Sequence, residues 1–235
     1  MIIYILVGLI TLSTIFYMIN YFQVDKKKVI LVKGITSLQF VILGLYCATL
    51  NNSNSKEIIF ILIGLSCGLV GDLLFGLKYV FEDKKKELYI AGIFFFFFGH
   101  IAYILSFFEK NNFSVLIFSL SIILFIITVV ILKKSGVNFG SVRIFSYVYI
   151  LCCALLISVS GANVGLTHEK GDIISFLGVA SFLISDILLS YLYFRDMSEG
   201  VYKKVKMINI LSYYIGQVLI ALSICFIIWF VNKKT

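Results

Sequence analysis

The sequence predicts an all-α transmembrane protein, a bundle of eight helices. Three observations predict it. Hydrophobic residues fill 61% of the 235 positions and charged residues only 14%, where a soluble domain carries about 25% charged residues. The apolar residues fall into eight runs, each as long as a bilayer is thick. None of the runs alternates with a period of two, which excludes barrel strands.

The runs cover about residues 2–22, 30–50, 58–77, 88–108, 114–132, 142–162, 172–194 and 207–231. A helical crossing takes ~17–25 residues. The first run lacks a positive flank and a small-x-small cleavage site, so it reads as a retained span. The connections are too short to hold a soluble domain, and the chain reads as one integral membrane domain, 1–235. Its chemistry must then come from side chains on the helices or at their mouths. Cys47, Cys67, Cys152, Cys153 and Cys225 all lie in apolar runs without CxxC spacing and read as small buried hydrophobes.

The formal net charge is +8. The basic residues sit in short clusters between the runs and form no basic face, so a nucleic-acid partner is not expected. The first, third, fifth and seventh connections hold 15 of the 20 lysines and arginines. By the positive-inside rule these connections are cytoplasmic and both termini lie outside, although Lys233 and Lys234 vote the other way.

Two stretches stand out. Gly71-Asp72-Leu73-Leu74-Phe75-Gly76-Leu77-Lys78-Tyr79 and Ser185-Asp186-Ile187-Leu188-Leu189-Ser190-Tyr191-Leu192-Tyr193 share the pattern small-Asp-aliphatic-Leu-apolar-small-x-x-Tyr. Asp72 and Asp186 are the carboxylates set deep in apolar runs. An ionised Asp at mid-helix depth costs ~2.5–3.5 kcal/mol on insertion scales, which makes a functional pair the expectation. Both lie on helices of the same direction and at one depth. Their offset, 114 residues, aligns His100 with Tyr214 and Tyr103 with Gln217. Each of those pairs is spaced i, i+3 on one helix face. The chain thus reads as two parallel four-helix repeats, 1–115 and 116–235, with their polar positions converging at the centre.

Asp72, Asp186 and His100 are the expected catalytic residues. Tyr103, Tyr214 and Gln217 are the expected pocket residues around them. Lys33 and Arg195, at helix ends on the basic side, are expected to meet an anionic head group. No metal is expected, because His168 lies in a loop and the chain has neither HxxxH nor HExxH. GxSxG, P-loop and GxGxxG patterns are also missing.

Taken together, these motifs resemble the YhhN-like lysoplasmalogenase family of integral membrane enzymes. The likeness covers essentially the whole chain. It rests on Gly71-Asp72-x-Leu74, Phe98-Gly99-His100-x-x-Tyr103-Ile104, Ser185-Asp186-x-Leu188 followed by Phe194, Tyr214-x-x-Gln217-x-Leu219-Ile220, and Lys33. Gly34 stands where the family has proline. The resemblance implies a cell-membrane hydrolase that cleaves the vinyl ether bond of a lysophospholipid, lysoplasmalogen, to a fatty aldehyde and a glycerophospho-amino-alcohol, with no cofactor. Protonation of a vinyl ether and attack of water need an acid and a base, and two carboxylates in different environments can serve. The residues alone do not say which Asp is which. A proton-coupled transporter, with a midplane polar site and parallel repeats, is the alternative.

Overall fold

A computed structural model describes residues 1–22, 25–51, 55–110 and 114–227. Eight α-helices follow in order: α1 (Ile2–Asn20), α2 (Lys26–Asn51), α3 (Lys56–Leu77), α4 (Lys85–Phe108), α5 (Val115–Lys134), α6 (Arg143–Thr167), α7 (Lys170–Phe194) and α8 (Glu199–Ser223). All eight lie in segments long and apolar enough to cross a membrane. Among the described residues there is no strand. The protein is an all-helical integral membrane bundle.

Helix boundaries are set by backbone hydrogen bonding and capping, not by where the surface stops being apolar. Ser55 caps α3 by accepting from the Ile58 amide, and Ser114 caps α5 through the Leu116 amide. His168 ends α6 in the left-handed region at φ 53°, a common way to stop a helix. The largest departure from the expected spans is α8, which starts at Glu199 rather than near 207. Lys203, Lys204 and Lys206 ride on its first turns, where lysine stems pack on apolar neighbours and their amines reach polar surroundings. The end of the last expected run, with Lys233 and Lys234, lies outside the described residues.

Only 17% of each of the α1 and α5 spans is buried, against 56% for α8, so α8 is central and α1 and α5 are peripheral. Leu12 and Ile19 on α1, and Ile122, Ile123, Ile126 and Ile131 on α5, are exposed. Apolar surface of this extent matches a lipid solvent. The bundle is assembled from tight pairs, α3 with α4 and α7 with α8. α2 packs on α3 and α8, and α4 packs on α6. Small residues permit the tight crossings, as expected where packing rather than the hydrophobic effect joins helices. A Cβ on Gly178 would lie 3.0 Å from the Gly216 carbonyl oxygen, and one on Gly216 would lie 2.9 Å from that of Gly178.

α3 starts at Lys56 and α7 at Lys170, so Asp72 and Asp186 each lie sixteen residues into their helices. At ~1.5 Å per residue that is about 24 Å from the helix start. The two aspartates thus stand at matching positions along α3 and α7.

The end of the bundle where α3 and α7 begin carries a clamp that sequence spacing does not predict. Lys110, just past α4, lies 3.3 Å from Glu57, 3.4 Å from Glu169 and 2.9 Å from Asp172. Thr167 adds a short hydrogen bond to Asp172. Burial works against the Lys110 ammonium, but Glu57, Asp172 and Glu169 outweigh it and raise its pKa. The clamp ties the α4–α5 connection to the starts of α3 and α7.

Candidate functional site

Asp72 and Asp186 line one cavity between α1, α2, α3, α4, α7 and α8. Its walls include Tyr17, Lys33, Phe96, Ser185, Lys206, Asn209, Tyr213 and Tyr214, and its free volume is about 50 Å³. That space holds a few waters and is too small for a lysolipid.

The two carboxylates have opposite surroundings. Asp72 is 2% exposed. The Lys33 ammonium lies 2.8 Å from its Oδ1. Ser37 donates to Oδ2 at 2.6 Å and Tyr213 donates to the same oxygen at 2.8 Å. Every partner is a donor, so Asp72 is held as a carboxylate. Ser37 lies one helical turn after Lys33, which puts both on the same face of α2. Tyr214 reaches the Ser37 hydroxyl at 3.1 Å and the Lys33 carbonyl oxygen at 3.4 Å. The Ser37 proton goes to Asp72, so Ser37 accepts from Tyr214.

Asp186 meets different partners. His100 Nε2 lies 3.1 Å from its Oδ2. Tyr149 donates to Oδ2 at 3.1 Å, and the Cys153 thiol approaches it at 3.7 Å. The other imidazole nitrogen of His100, Nδ1, is 2.7 Å from the Phe96 carbonyl oxygen. A carbonyl oxygen only accepts, so Nδ1 carries a hydrogen. One further proton must then sit between Nε2 and Oδ2, either as imidazolium with carboxylate or as imidazole with carboxylic acid. The His100–Asp186 pair therefore stores a transferable proton. Phe182 stacks on the imidazole at 4.9 Å and Tyr149 meets its edge at 5.1 Å, which holds the ring in place. All three of these contacts fall on Oδ2.

α8 braces this side. Asn209 donates to both the carbonyl and the hydroxyl oxygen of Ser185, at 2.9 and 2.8 Å, and accepts from Lys206 at 3.1 Å. This fixes the residue before Asp186 and aims the Lys206 side chain.

Of the residues singled out from sequence, Asp72, Asp186, Lys33 and Tyr214 line the cavity. His100 is fully buried behind Asp186 and does not line it. Tyr103 and Gln217 do not line this cavity. Tyr103 donates to Gln217 Oε1 at 2.9 Å, and the two cross-link α4 to α8 behind the cavity wall. Arg195 stands apart from the cavity. It is exposed at the end of α7, against the Tyr191 ring, and lines no part of the cavity. Its backbone is extended, at φ −138°, ψ 135°, and ends the helix there.

Ser37, Tyr149, Cys153, Tyr213 and Lys206 were not singled out. Tyr149 and Cys153, four residues apart, are the signal that spacing offers, since they share one face of α6. The Sγ of Cys153, the imidazole of His100 and a carboxylate oxygen of Asp186 lie within 4.8 Å of one another. That donor set suits a borderline metal ion. Filling it would remove the shared proton and ionise the thiol.

Fold and site define a polytopic membrane protein with two inequivalent carboxylates on one buried cavity. A family model described as the YhhN family matches residues 28–224. The chain belongs to the YhhN family. No curated protein and no solved structure shows a significant match to it.

Proposed function

We propose that this protein hydrolyses the vinyl ether bond of lysoplasmalogen by acid–base catalysis, with Asp186 as the acid and Asp72 as the base. The observation that carries this reading is the asymmetry of the two carboxylates. Asp72 meets only donors, whereas Asp186 shares a proton with His100. Membership of the YhhN family supports the substrate class.

The reaction balances with these two groups alone. Asp186 gives its proton to the β-carbon of the vinyl ether, and an oxocarbenium ion forms. Water adds at the α-carbon and Asp72 takes its proton. The hemiacetal then collapses. Its hydroxyl proton returns to Asp186 and the proton on Asp72 goes to the leaving alkoxide oxygen. Aldehyde and alcohol are released, and both carboxyl groups regain their starting states. The carboxylate of Asp72, opposite the acid, also stabilises the cation between the two steps. His100 acts through Asp186 and is a positioning and proton-holding residue. A lysolipid needs more room than the resting cavity offers, so binding must part its walls. Tyr17, on the peripheral helix α1 and edge-on to Tyr214 at 6.1 Å, covers one of them.

Purified protein in detergent, supplied with lysoplasmalogen, is expected to release aldehyde with turnover and to do so in the presence of a chelator. Chelator-sensitive turnover restored by zinc would put a metal at His100, Cys153 and Asp186 in place of the shared proton. Uptake of the intact lipid into vesicles, with no aldehyde, would replace the hydrolase reading by that of a carrier.

A further inference from the structure

Three lysines gather at the lysine-rich end of the cavity, and one of them has a carboxylate partner. Lys33 and Lys206 line the cavity itself. Lys33 pairs with Asp72 at 2.8 Å. Lys78, just past α3, is 3% exposed. Its ammonium lies 4.4–5.1 Å from the ring centroids of Phe75, Tyr79, Tyr89 and Tyr193, and it donates a short hydrogen bond to the Tyr193 hydroxyl. The Lys33 and Lys78 ammonium groups sit against the same ring, 5.6 and 4.9 Å from the Phe75 centroid, and Phe75 is itself part of the cavity wall. Lys206 is held by Asn209 and packs 4.9 Å from the Tyr21 ring.

Among the described residues no ion pair closes on Lys78 or Lys206. Lys78 also lines a second pocket, with Glu82, Asp83, Glu87, Lys85 and Lys86, but among the described residues none of these carboxylates pairs with it. Glu82 is engaged by Lys26 at 3.0 Å. Lys33 and Lys206 line the inner cavity with Asp72, and Lys78 lies against the Phe75 ring of its wall. Holding cations out of water without partners is costly, and rings of this kind compensate only in part. The arrangement lacks an anion.

We infer that Lys33, Lys78 and Lys206 form the binding site for the phosphate of the lysophospholipid head group. This rests on the hydrolase reading for its substrate and deepens it. A phosphodiester presents two charged oxygens to ammonium donors that approach from α2, α3 and α8. It would lie at the basic end of the cavity while the vinyl ether lies between Asp72 and Asp186. The glycerol backbone spans that gap. Lysines suit a head group approached as a point charge rather than through a bidentate fork.

The test is equilibrium binding to the purified full chain in detergent, with a saturated 1-O-alkyl lysophospholipid and the 1-O-alkylglycerol of the same chain length. Neither can be hydrolysed by vinyl ether protonation, so the result does not depend on turnover. The phosphate-bearing ligand is expected to bind roughly tenfold tighter or more, the gain of one charge-assisted contact. K206Q and K78Q should each shrink that ratio and leave alkylglycerol affinity unchanged, which also shows the variants to be folded. An undiminished ratio in both variants, or no preference in the wild type, overturns the proposal even if aldehyde release is normal. Inorganic phosphate is the third probe. Weak competition with the lysolipid, lost in K206Q, supports a head-group site. Phosphate binding as tight as the lysolipid would make it a site for the free anion and overturn the head-group assignment.

Discussion

His100 and Asp186 are joined by a contact of 3.1 Å between Nε2 and Oδ2, while His100 Nδ1 donates to Phe96 at 2.7 Å. Two acceptor-type atoms meet unless a proton lies between them. A proton is thus shared by the pair on hydrogen-bond logic alone, which is why the proposed mechanism takes Asp186 as the acid.

Asp186→Asn keeps the shape but cannot give up a proton. Its turnover is expected to fall by roughly 10²–10⁴, the usual worth of a general acid. His100→Gln leaves Asp186 in place but alters what holds its proton. Its kcat should fall less, and the limb of the pH–rate profile that reports the pair should move. Aldehyde release across a pH series reads both. A His100→Gln profile with an unmoved limb would make His100 a packing residue only.

Asp72 and Lys33 form the complementary pair, with side chains 2% and 16% exposed. Removing one partner leaves a buried charge alone, a loss of roughly 3–5 kcal/mol, whereas removing both is far milder. Lys33→Met and Asp72→Asn are each expected to lower the melting temperature in detergent. The double variant should recover much of that loss and remain inactive. A double variant no more stable than the worse single one would show that the pair is not coupled.

Much of this site was legible because carboxylates in apolar helices are rare. Asp72, Asp186 and the i, i+3 pairs announce themselves in the sequence. The residues around them do not. Ser37, Tyr149, Cys153 and Tyr213 are ordinary helix residues, and their importance depends on how α2, α6 and α8 rotate toward the centre. That rotation is set by packing between neighbours, which no single helix records. Tyr103 and Gln217 illustrate the converse. Their polarity was visible, but only the fold shows Tyr103 donating to Gln217 away from the cavity. The start of α8 was missed for a simpler reason, since a helix continues past the edge of its apolar stripe.

Lys110 holds Glu57, Glu169 and Asp172 at 3.3, 3.4 and 2.9 Å. Its raised pKa means the folded state binds the Lys110 proton more tightly than the unfolded one. Its stabilisation is therefore complete below the unfolded lysine value of 10.5 and is lost only as pH rises through the higher folded value. Across neutral pH the Lys110 ammonium is fully charged. Lys110→Met should destabilise by about 3–5 kcal/mol near neutrality, where buried carboxyl groups are left without their cation. Lowering the pH protonates carboxylates and lessens that cost. The gap in melting temperature between wild type and Lys110→Met should accordingly narrow from pH 8 to pH 5. A gap that widens would refute the clamp.

The crossing of α7 and α8 leaves no room for a side chain at Gly216. A Cβ there would meet the Gly178 carbonyl oxygen and the Phe182 amide nitrogen, both at 2.9 Å. Both are backbone atoms, so relief requires α7 to move away from α8. Phe182 also stacks on His100 at 4.9 Å, and the displacement would pass to the His100–Asp186 contact. Gly216→Val is expected to cost about 1–3 kcal/mol, the usual range for overpacking. It should lower kcat as well, although residue 216 does not line the cavity. Gly165→Ala on α6 is the control, because a Cβ there meets nothing within 4 Å. It should gain up to ~1 kcal/mol from helix propensity and keep full activity. Thermal melts in detergent and aldehyde release on the same preparations distinguish the two, and a Gly216→Val protein that loses stability but keeps its kcat would break the proposed link between the helix crossing and the acid.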